Sequence, residues 1–398
     1  MEVGVVGKPN VGKSTLFNAW TLLDVPIAAY PFTTTTPNRG VAAVRAPCPH
    51  GEKGVSCTPG NAKCVDGVRW VPVSLIDVPG LVPGASVGKG LGHKFLDDLR
   101  AADGFVQVVD LSGATDEEGR IDAPGSHDPA AEVTWLEEEL VAWVAEILSR
   151  DFLRQAKGVE LEGKKVEEFL ADRLTGLSIP PSAITSALRH APADRAHPAH
   201  WTAEDRASIA RELLRASKPR LVAANKCDKA TKDAAQKLEN SVAPIPVVPT
   251  AGDAELTLRR AARAGLVSYR PGDPSFAIPD PSRLSPPQTR ALEEVRTILA
   301  TWGSTGVQQA LERMVFDRLR MIVVYPVEDE THWTDSQGRV LPDALLVPAN
   351  TPTRAVAYRV HTDLGENFIR AIDGRTHRAL GADHPLEPNA VVRIVARR

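Results

Sequence analysis

The stretch Gly7-Lys8-Pro9-Asn10-Val11-Gly12-Lys13-Ser14 decides the fold. It fits G-x-x-x-x-G-K-[ST], the phosphate-binding loop. The apolar run Val3 to Val6 before it reads as a buried strand, and Thr15-Leu16-Phe17-Asn18-Ala19-Trp20 after it reads as a helix start. Strand, loop, helix is the context this motif requires. Two glycines let the backbone wrap closely around phosphate oxygens, while loop N–H groups and the positive helix end face the anion. Lys13 is then expected to reach the β- and γ-phosphates, Ser14 to bind magnesium, and Val11, Gly12 and Thr15 to line the anion. The competing reading is a tight strand-to-helix turn with an ordinary lysine, and the rest of the chain decides between the two.

The chain has 398 residues, room for two to four domains at roughly 100–200 residues each. A hydrophobic content of 43% suits packed cores, and a net charge of −3 excludes a globally basic nucleic-acid coat while leaving a local basic face open. No run approaches the length of a membrane span. A first strand by Val3 leaves no room for a leader ahead of it, so the expectation is a cytoplasmic protein with no membrane contact, monomeric by default. Four cysteines in a reducing compartment argue against a disulfide framework.

Further signals follow in order. Tyr30-Pro31-Phe32-Thr33-Thr34-Thr35-Thr36-Pro37-Asn38 is a polar, extended loop from which one hydroxyl is expected to complete a magnesium shell. A strand from Val71 to Ile76 ends in Asp77-Val78-Pro79-Gly80. Asp77 is placed to hold a magnesium-bound water, and the Gly80 N–H to meet the γ-phosphate. Leu81 stands where many GTPases carry a water-orienting glutamine, which predicts slow intrinsic turnover. Strand Leu221 to Ala224 leads into Asn225-Lys226-Cys227-Asp228, the guanine-reading N-K-x-D. The Asp228 carboxylate can accept from guanine N1–H and the 2-amino group, a donor pair that adenine lacks. Asn225 braces the loop and the Lys226 stem packs on the base. Ile245 to Val248 leads to Pro249-Thr250-Ala251-Gly252, where a backbone N–H is expected to meet guanine O6.

Together these motifs resemble the Obg superfamily of translation-factor-class GTPases, in particular the YchF type in its archaeal form. The carriers are Gly7 to Thr15, Tyr30 to Asn38, Asp77 to Ala85, Gly90-Leu91-Gly92, Lys94 to Ala102 and Ala251 to Gly265. Tyr325-Pro326-Val327-Glu328-Asp329-Glu330 and His361-Thr362-Asp363-Leu364-Gly365 continue the match, which covers nearly the whole chain. The resemblance implies that Thr34 is the magnesium threonine and that Asn10 helps to hold a potassium ion beside the phosphates. Some YchF-type relatives have a changed guanine motif and prefer ATP; Asp228 is kept here, which points to GTP. Ala251-Gly252 departs from the usual Ser-Ala, and His93 from the usual asparagine.

Cys48, His50, Cys57 and Cys64 lie between the threonine loop and Asp77, in a segment too poor in apolar residues to fold on its own core. One zinc ion on these four would staple it; the alternative is a loop with free thiols. Cys227 reads as inert. Val133, Leu136, Leu140, Val144, Ile147 and Leu148 have helical spacing, as do shorter runs at Val166 to Leu170 and Ser182 to Ala191. Thr202 to Asp205 looks like a capping box for a helix to Ser217. Trp135, Trp143 and Trp201 read as core. Prolines between 271 and 287 suggest a stiff connector rather than a packed element, followed by helices near Thr289 to Trp302 and Val307 to Arg320. The last part reads as a ββαββ-like domain that resembles TGS, a ubiquitin-like β-grasp. Its arginines, among them Arg354, Arg359, Arg370 and Arg393, make it locally basic and favour RNA contact.

The reading is an α/β protein. A P-loop GTPase (G) domain with a mixed, mainly parallel sheet spans 1–111 and 218–268, with a zinc-stapled insert over 45–70. An α-helical insert spans 112–217, the connector and two helices 269–320, and a TGS domain 321–398. The expected activity is slow hydrolysis of GTP to GDP and phosphate in a molecular switch associated with the ribosome, its rRNA or translation. The rivals are a nucleotide-gated RNA-binding protein with incidental hydrolysis, and an ATPase.

Overall fold

A computed structural model describes residues 1–22, 38–78, 100–177 and 179–397. Strands β1 (Glu2–Val6), β2 (Asn38–Pro47), β3 (Lys63–Val65), β4 (Val68–Asp77), β5 (Gly104–Asp110), β6 (Arg220–Asn225) and β7 (Val247–Pro249) form one sheet. Its order is β2-β4-β1-β5-β6-β7, with β3 paired to β4. The central pairs are parallel, with Gly4 beside both Ile76 and Phe105, and Val222 beside both Gln107 and Val247. The β3–β4 pair is antiparallel, so the sheet is mixed. A parallel strand is covered on both faces, and Val3, Val5, Val6 and the whole of β5 are accordingly buried. Gly7, Asp77, Asp110, Asn225 and Pro249 all lie at or just past the carboxyl ends of parallel strands, where open α/β sheets place their ligands.

The chain forms two compact units, Met1–Gly40 with Ser74–Met314, and Val41–Val73 with Val315–Arg398. The helices of the first unit are α1 (Lys13–Thr21), α2 (Pro129–Ser149), α3 (Phe152–Glu162), α4 (Val166–Leu174), α5 (Pro181–His190) and α6 (Ala203–Ser217), then α7 (Lys232–Val242), α8 (Gly252–Arg263), α9 (Pro286–Trp302) and α10 (Val307–Glu312). The run α2 to α6 is the helical region expected between the strands. Helix α3 has no counterpart in the sequence reading, because only Phe152, Ala156 and Val159 of it are buried, too thin a stripe to read as a period. The capping box is present: the Thr202 hydroxyl accepts from the Asp205 N–H, and the Asp205 carboxylate from the Thr202 N–H.

One core joins Ile76 and Phe105 of the sheet to Leu136, Leu140, Ile184 and Leu213 of the helical region. A second joins Val109 and Val222 to Leu238, Leu258, Leu292 and Leu299. The proline-rich connector is therefore packed, contrary to the sequence reading. Tyr269, Phe276 and Ile278 lie against the second core, and Ser268 and Ala277 exchange backbone hydrogen bonds of 2.8 and 3.0 Å. Pro286 and Pro287 begin helix α9 instead of ending a linker. Their missing N–H groups fall where a helix has no internal acceptor, and Ser285 with Gln288 caps that end.

In the second unit, β8 (Met321–Val327), β9 (Leu345–Pro348), β10 (Phe368–Asp373), β11 (Ala379–Leu380) and β12 (Ala390–Ala396) make a five-stranded sheet of order β11-β10-β12-β8-β9. The central pair β12–β8 is parallel and its neighbours are antiparallel. Helices α11 (Thr353–Val360) and α12 (Thr362–Glu366) lie between β9 and β10 in sequence. This is the β-grasp arrangement, with one strand more than the ββαββ reading. The short β11 carries too few residues to show a period of two.

Leu136 is fully buried where helix α2 meets the sheet. Leu136→Ala is expected to cost about 2–5 kcal/mol in urea unfolding. A loss below about 1 kcal/mol would mean that the helical region is stable without this shared core.

Candidate functional site

The loop after β1 owes its course to glycine. Gly7 has φ +147°, and a Cβ there would lie 2.4 Å from the Val108 carbonyl oxygen. Gly12 has φ +99°, and its Cβ would lie 2.1 Å from Asn225 Nδ2. The Lys13 ammonium is folded back onto the Lys8 carbonyl oxygen at 2.8 Å. Burial lowers the Lys13 pKa to about 8, against the opposing charges of Asp77 and Glu132.

Asn225 ties three loops together. Its Nδ2 donates to the Val11 carbonyl at 2.9 Å, and its Oδ1 accepts from the Gly252 N–H at 3.0 Å and the Thr250 hydroxyl at 3.4 Å. Lys226 stands in the left-handed region and its ammonium pairs with Asp110 at 2.7 Å. Asp110 is fully buried. Burial acts to raise its pKa, but hydrogen bonds from Lys226, Ser112 and Thr115 hold it below the usual value. Asp228 is exposed, two residues beyond Lys226. The Ala251 N–H donates to the Thr305 carbonyl at 2.8 Å, and the Gly252 N–H to Asn225. A single backbone N–H of this loop is expected to meet guanine O6, and those of Ala251 and Gly252 are both turned inward, so for either of them to meet the base its bond must be exchanged. Sequence reading places the loop but not Thr305, which belongs to the turn between α9 and α10.

The Ser14 hydroxyl donates to Asp77 Oδ2 at 3.1 Å, while Asp77 Oδ1 is buried with no hydrogen-bond partner among the described residues. Burial raises the Asp77 pKa, with Lys13, Ser14 and Asn38 acting against it. A hydroxyl and an orphaned carboxylate oxygen side by side suit a hard, hydrated cation. Thr34, Gly80 and Leu81 lie outside the described residues. Asn10 has φ +63°, and its Nδ2 donates to the Gly119 carbonyl at 2.7 Å. Potassium would need the oxygen of that same amide. Thr15 is buried behind the loop at the start of α1.

The segment after β5 also belongs to the site, although no motif in it says so. Gly119 has φ +82° and packs so closely on Pro9 that a Cβ would lie 2.6 Å from it. Lys8 donates to the Thr115 carbonyl at 2.5 Å and its ammonium lies 2.6 Å from Glu132 on α2. Burial raises Glu132 to about 7, the Lys8 ammonium opposing it. Together with Trp135 and His127 these residues line a cavity of about 290 Å³. The only sequence signal is a lysine inside a phosphate loop, with no spacing to point to its partner.

Cys48, His50, Cys57 and Cys64 come together in the second unit, with one ligand atom from each within 4.8 Å of the others. Cys227 is buried elsewhere, its thiol pushed up to about 12 by burial. No described helix is long and apolar enough to cross a membrane.

The sheet, its glycine loop and the N-K-x-D loop after β6 define the fold of a P-loop GTPase domain. The family model described as "50S ribosome-binding GTPase" matches residues 2–146, "Obg-like GTPase YGR210-like, G4 motif-containing domain" matches 223–329, and "TGS domain" matches 337–396. An uncharacterized GTP-binding protein of Methanocaldococcus jannaschii is 44% identical over 99% of this chain and 98% of its own. The crystal structure of a GTP-binding protein from Pyrococcus horikoshii superposes with a TM-score of 0.79 at 36% identity, covering 100% of both chains. A ribosome-binding ATPase YchF of Haemophilus ducreyi is 40% identical over 35% of this chain and 36% of its own. The chain belongs to the Obg-related GTP-binding proteins of the YchF type, with a C-terminal TGS domain.

Without nucleotide or magnesium, the lowered Lys13 pKa means that the folded protein holds fewer protons than the unfolded chain between about pH 8 and 10.5. Stability attributable to Lys13 therefore rises with pH across that window. Lys13→Met is expected to be the more stable protein at pH 7 and to lose that advantage as pH climbs through the window. Parallel urea curves that keep a constant offset from pH 7 to 10.5 would contradict the burial argument.

Proposed function

We propose that this protein binds GTP in preference to ATP and hydrolyses it slowly to GDP and phosphate, as a cytoplasmic switch that acts on the ribosome. The observation that carries the reading is Asn225, whose amide holds Val11, Thr250 and Gly252 on one side chain next to the exposed Asp228. That arrangement supports a purine held between the phosphate loop and the base loops. Val11, Gly12, Lys13, Ser14 and Thr15 hold the phosphates; Asn225, Lys226, Asp228, Ala251 and Gly252 hold the base. Once phosphate occupies the loop, the Lys13 ammonium has a partner for its charge and can leave the Lys8 carbonyl. Ser14, Thr34 and, through water, Asp77 would hold magnesium, which when bound would supply positive charge beside the phosphoryl oxygens. Asn10 is assigned to potassium by its amide oxygen. Thr34 and Gly80 complete the assignment. The chemistry is electrostatic, and it is slow because Leu81 stands where many GTPases carry a water-orienting glutamine. One structural zinc ion is assigned to Cys48, His50, Cys57 and Cys64.

The ribosome assignment rests on what the relatives' names state, together with arginines on the TGS domain. A second reading, ATP hydrolysis, is favoured by the inward-turned N–H groups of Ala251 and Gly252, which weaken the case for recognition of guanine O6.

Competition between GTP and ATP for the wild-type protein and Asp228→Glu tests the base assignment. The wild type is expected to prefer GTP by about tenfold or more, and the variant to shift towards ATP, since displaced carboxylate oxygens lose two hydrogen bonds to guanine. An unchanged preference in the variant would remove Asp228 from base reading. Co-sedimentation with ribosomes in the presence of a non-hydrolysable GTP analogue, GDP or neither tests the partner. Pelleting with the analogue alone supports the switch, and no pelleting in any state discards the ribosome.

A further inference from the structure

The cysteine segment has almost no core of its own. It consists of a single helical turn over Pro49–Lys53, the three-residue strand β3, and irregular chain, with Val55 and Val65 exposed. Even so, it is docked in detail within the second unit. Between Cys57 and Cys64, the Thr58 N–H donates to the Val340 carbonyl at 2.8 Å and the Gly60 N–H to the Pro342 carbonyl at 2.7 Å. Asn61 exchanges two bonds of 3.0 Å with the backbone of Ala344. Glu52 accepts from both Nε and Nη2 of Arg375 at 2.7 Å. Holding the ends of this loop at a set separation lowers the ordering entropy that such docking costs.

The ends of that loop are cysteines, and the donor atoms are spaced for one ion. The Cys48 and Cys57 sulfurs are 3.9 Å apart and the Cys64 sulfur is 3.7 Å from His50 Nδ1. A tetrahedral zinc ion with Zn–S of about 2.3 Å sets an edge of about 3.8 Å between its ligands.

Arg69 supplies an independent observation. It is fully buried, and no carboxylate is paired with it among the described residues. Its Nη2 lies 3.5 Å from the Cys48 sulfur and donates to the Leu341 carbonyl at 2.9 Å, while Nε and Nη1 have no hydrogen-bond partner among the described residues. Its guanidinium lies 5.6 Å from the ring of Tyr325, whose hydroxyl donates to the Pro47 carbonyl. A buried cation needs a counter-charge. Three thiolates and one imidazole on a divalent ion carry a net charge of −1, which is the charge that Arg69 lacks.

We propose that zinc is the fastener of this discontinuous unit. Resting on the zinc assignment above, the ion fixes the Cys57–Cys64 loop in the shape that adds to Val340–Ala344, and Arg69 joins the charged cluster to Leu341. The metal thereby makes Val41–Val73 and the TGS strands one folding unit, instead of a free arm beside a finished domain.

The test is hydrogen exchange on the full-length protein under reducing conditions, zinc-replete and after stripping by a strong chelator, with metal content measured on both. Replete protein is expected to hold one zinc per chain. Stripping is expected to speed exchange at Thr58, Gly60 and Ala344 together by about tenfold or more, and to leave Val106 and Val222 in the first unit unchanged. Re-adding zinc restores protection. Cys57→Ser and Cys64→Ser are expected to reproduce the stripped pattern, whereas Glu52→Gln keeps its zinc. Wild-type protein without bound zinc would overturn both the assignment and the fastener. One zinc per chain with exchange unaltered by stripping would overturn the fastener alone. The chelation arm uses wild-type protein, so it decides the matter even where a variant folds poorly.

Discussion

Much of the first unit depends on one buried amide. Asn225 ends the strand β6, and its side chain uses both ends at once, donating to the phosphate loop and accepting from the segment that starts α8. Neither carboxylate nor hydroxyl can do the same, since the first lacks the donor and the second cannot reach both loops. The close approach of Gly12 to this amide follows from the same constraint. Parallel strands bring the loop ends to one edge of the sheet, and Asn225 sets their spacing there.

Around that amide sits a ring of buried charge. Lys8 with Glu132 is taken out of water, and the partly exposed Lys226 reaches down to the fully buried Asp110, both beside loops that must hold an anion. Buried ion pairs contribute little net stability, but breaking one by removing a partner is costly. The evident effect of the Lys8–Glu132 pair is that the Lys8 ammonium also fixes the Thr115 carbonyl, while Lys13 holds the Lys8 carbonyl, in positions that a solvated loop would not keep. The segment after β5 is held against Asn10 by a bond to the Gly119 carbonyl and packs on Pro9 through Gly119 itself.

What the sequence disclosed follows the range of the forces involved. Strands β1, β5 and β6 announce themselves as unbroken apolar runs covered on both faces, helices α2 and α6 by a recurring local period, and the site motifs because phosphate and base contacts need fixed residue types at fixed spacing. Helix α3 has too little buried surface to show a period. The start of α9 is hidden when Pro286 and Pro287 are read as breakers, whereas at a helix N-terminus proline costs nothing. Glu132 and Thr305 act across long sequence separations, where no spacing rule applies. The same holds for Arg69, an ordinary cation in the sequence that turns out to be sealed inside the second unit. The cysteines are visible as a cluster, but their neighbourhood is not: by chain order they belong to the nucleotide domain, and by packing they belong with the C-terminal strands.

That packing imposes an order on synthesis. The arm that carries Glu52, Asn61 and Arg69 leaves the ribosome long before Arg375, Ala344 and Leu341 have been made. In the interval the rest of the first unit, Ser74–Met314, is translated, while the guanidinium of Arg69 and the thiols beside it lack their partners from the C-terminal strands. A nascent chain released early would carry an unsatisfied arm, and a fragment starting after the helices would leave Tyr325 without its contacts to Arg69 and Pro47. Completion of the second unit is therefore a late event in the life of each molecule, since the arm finds its partners only once the C-terminal strands exist.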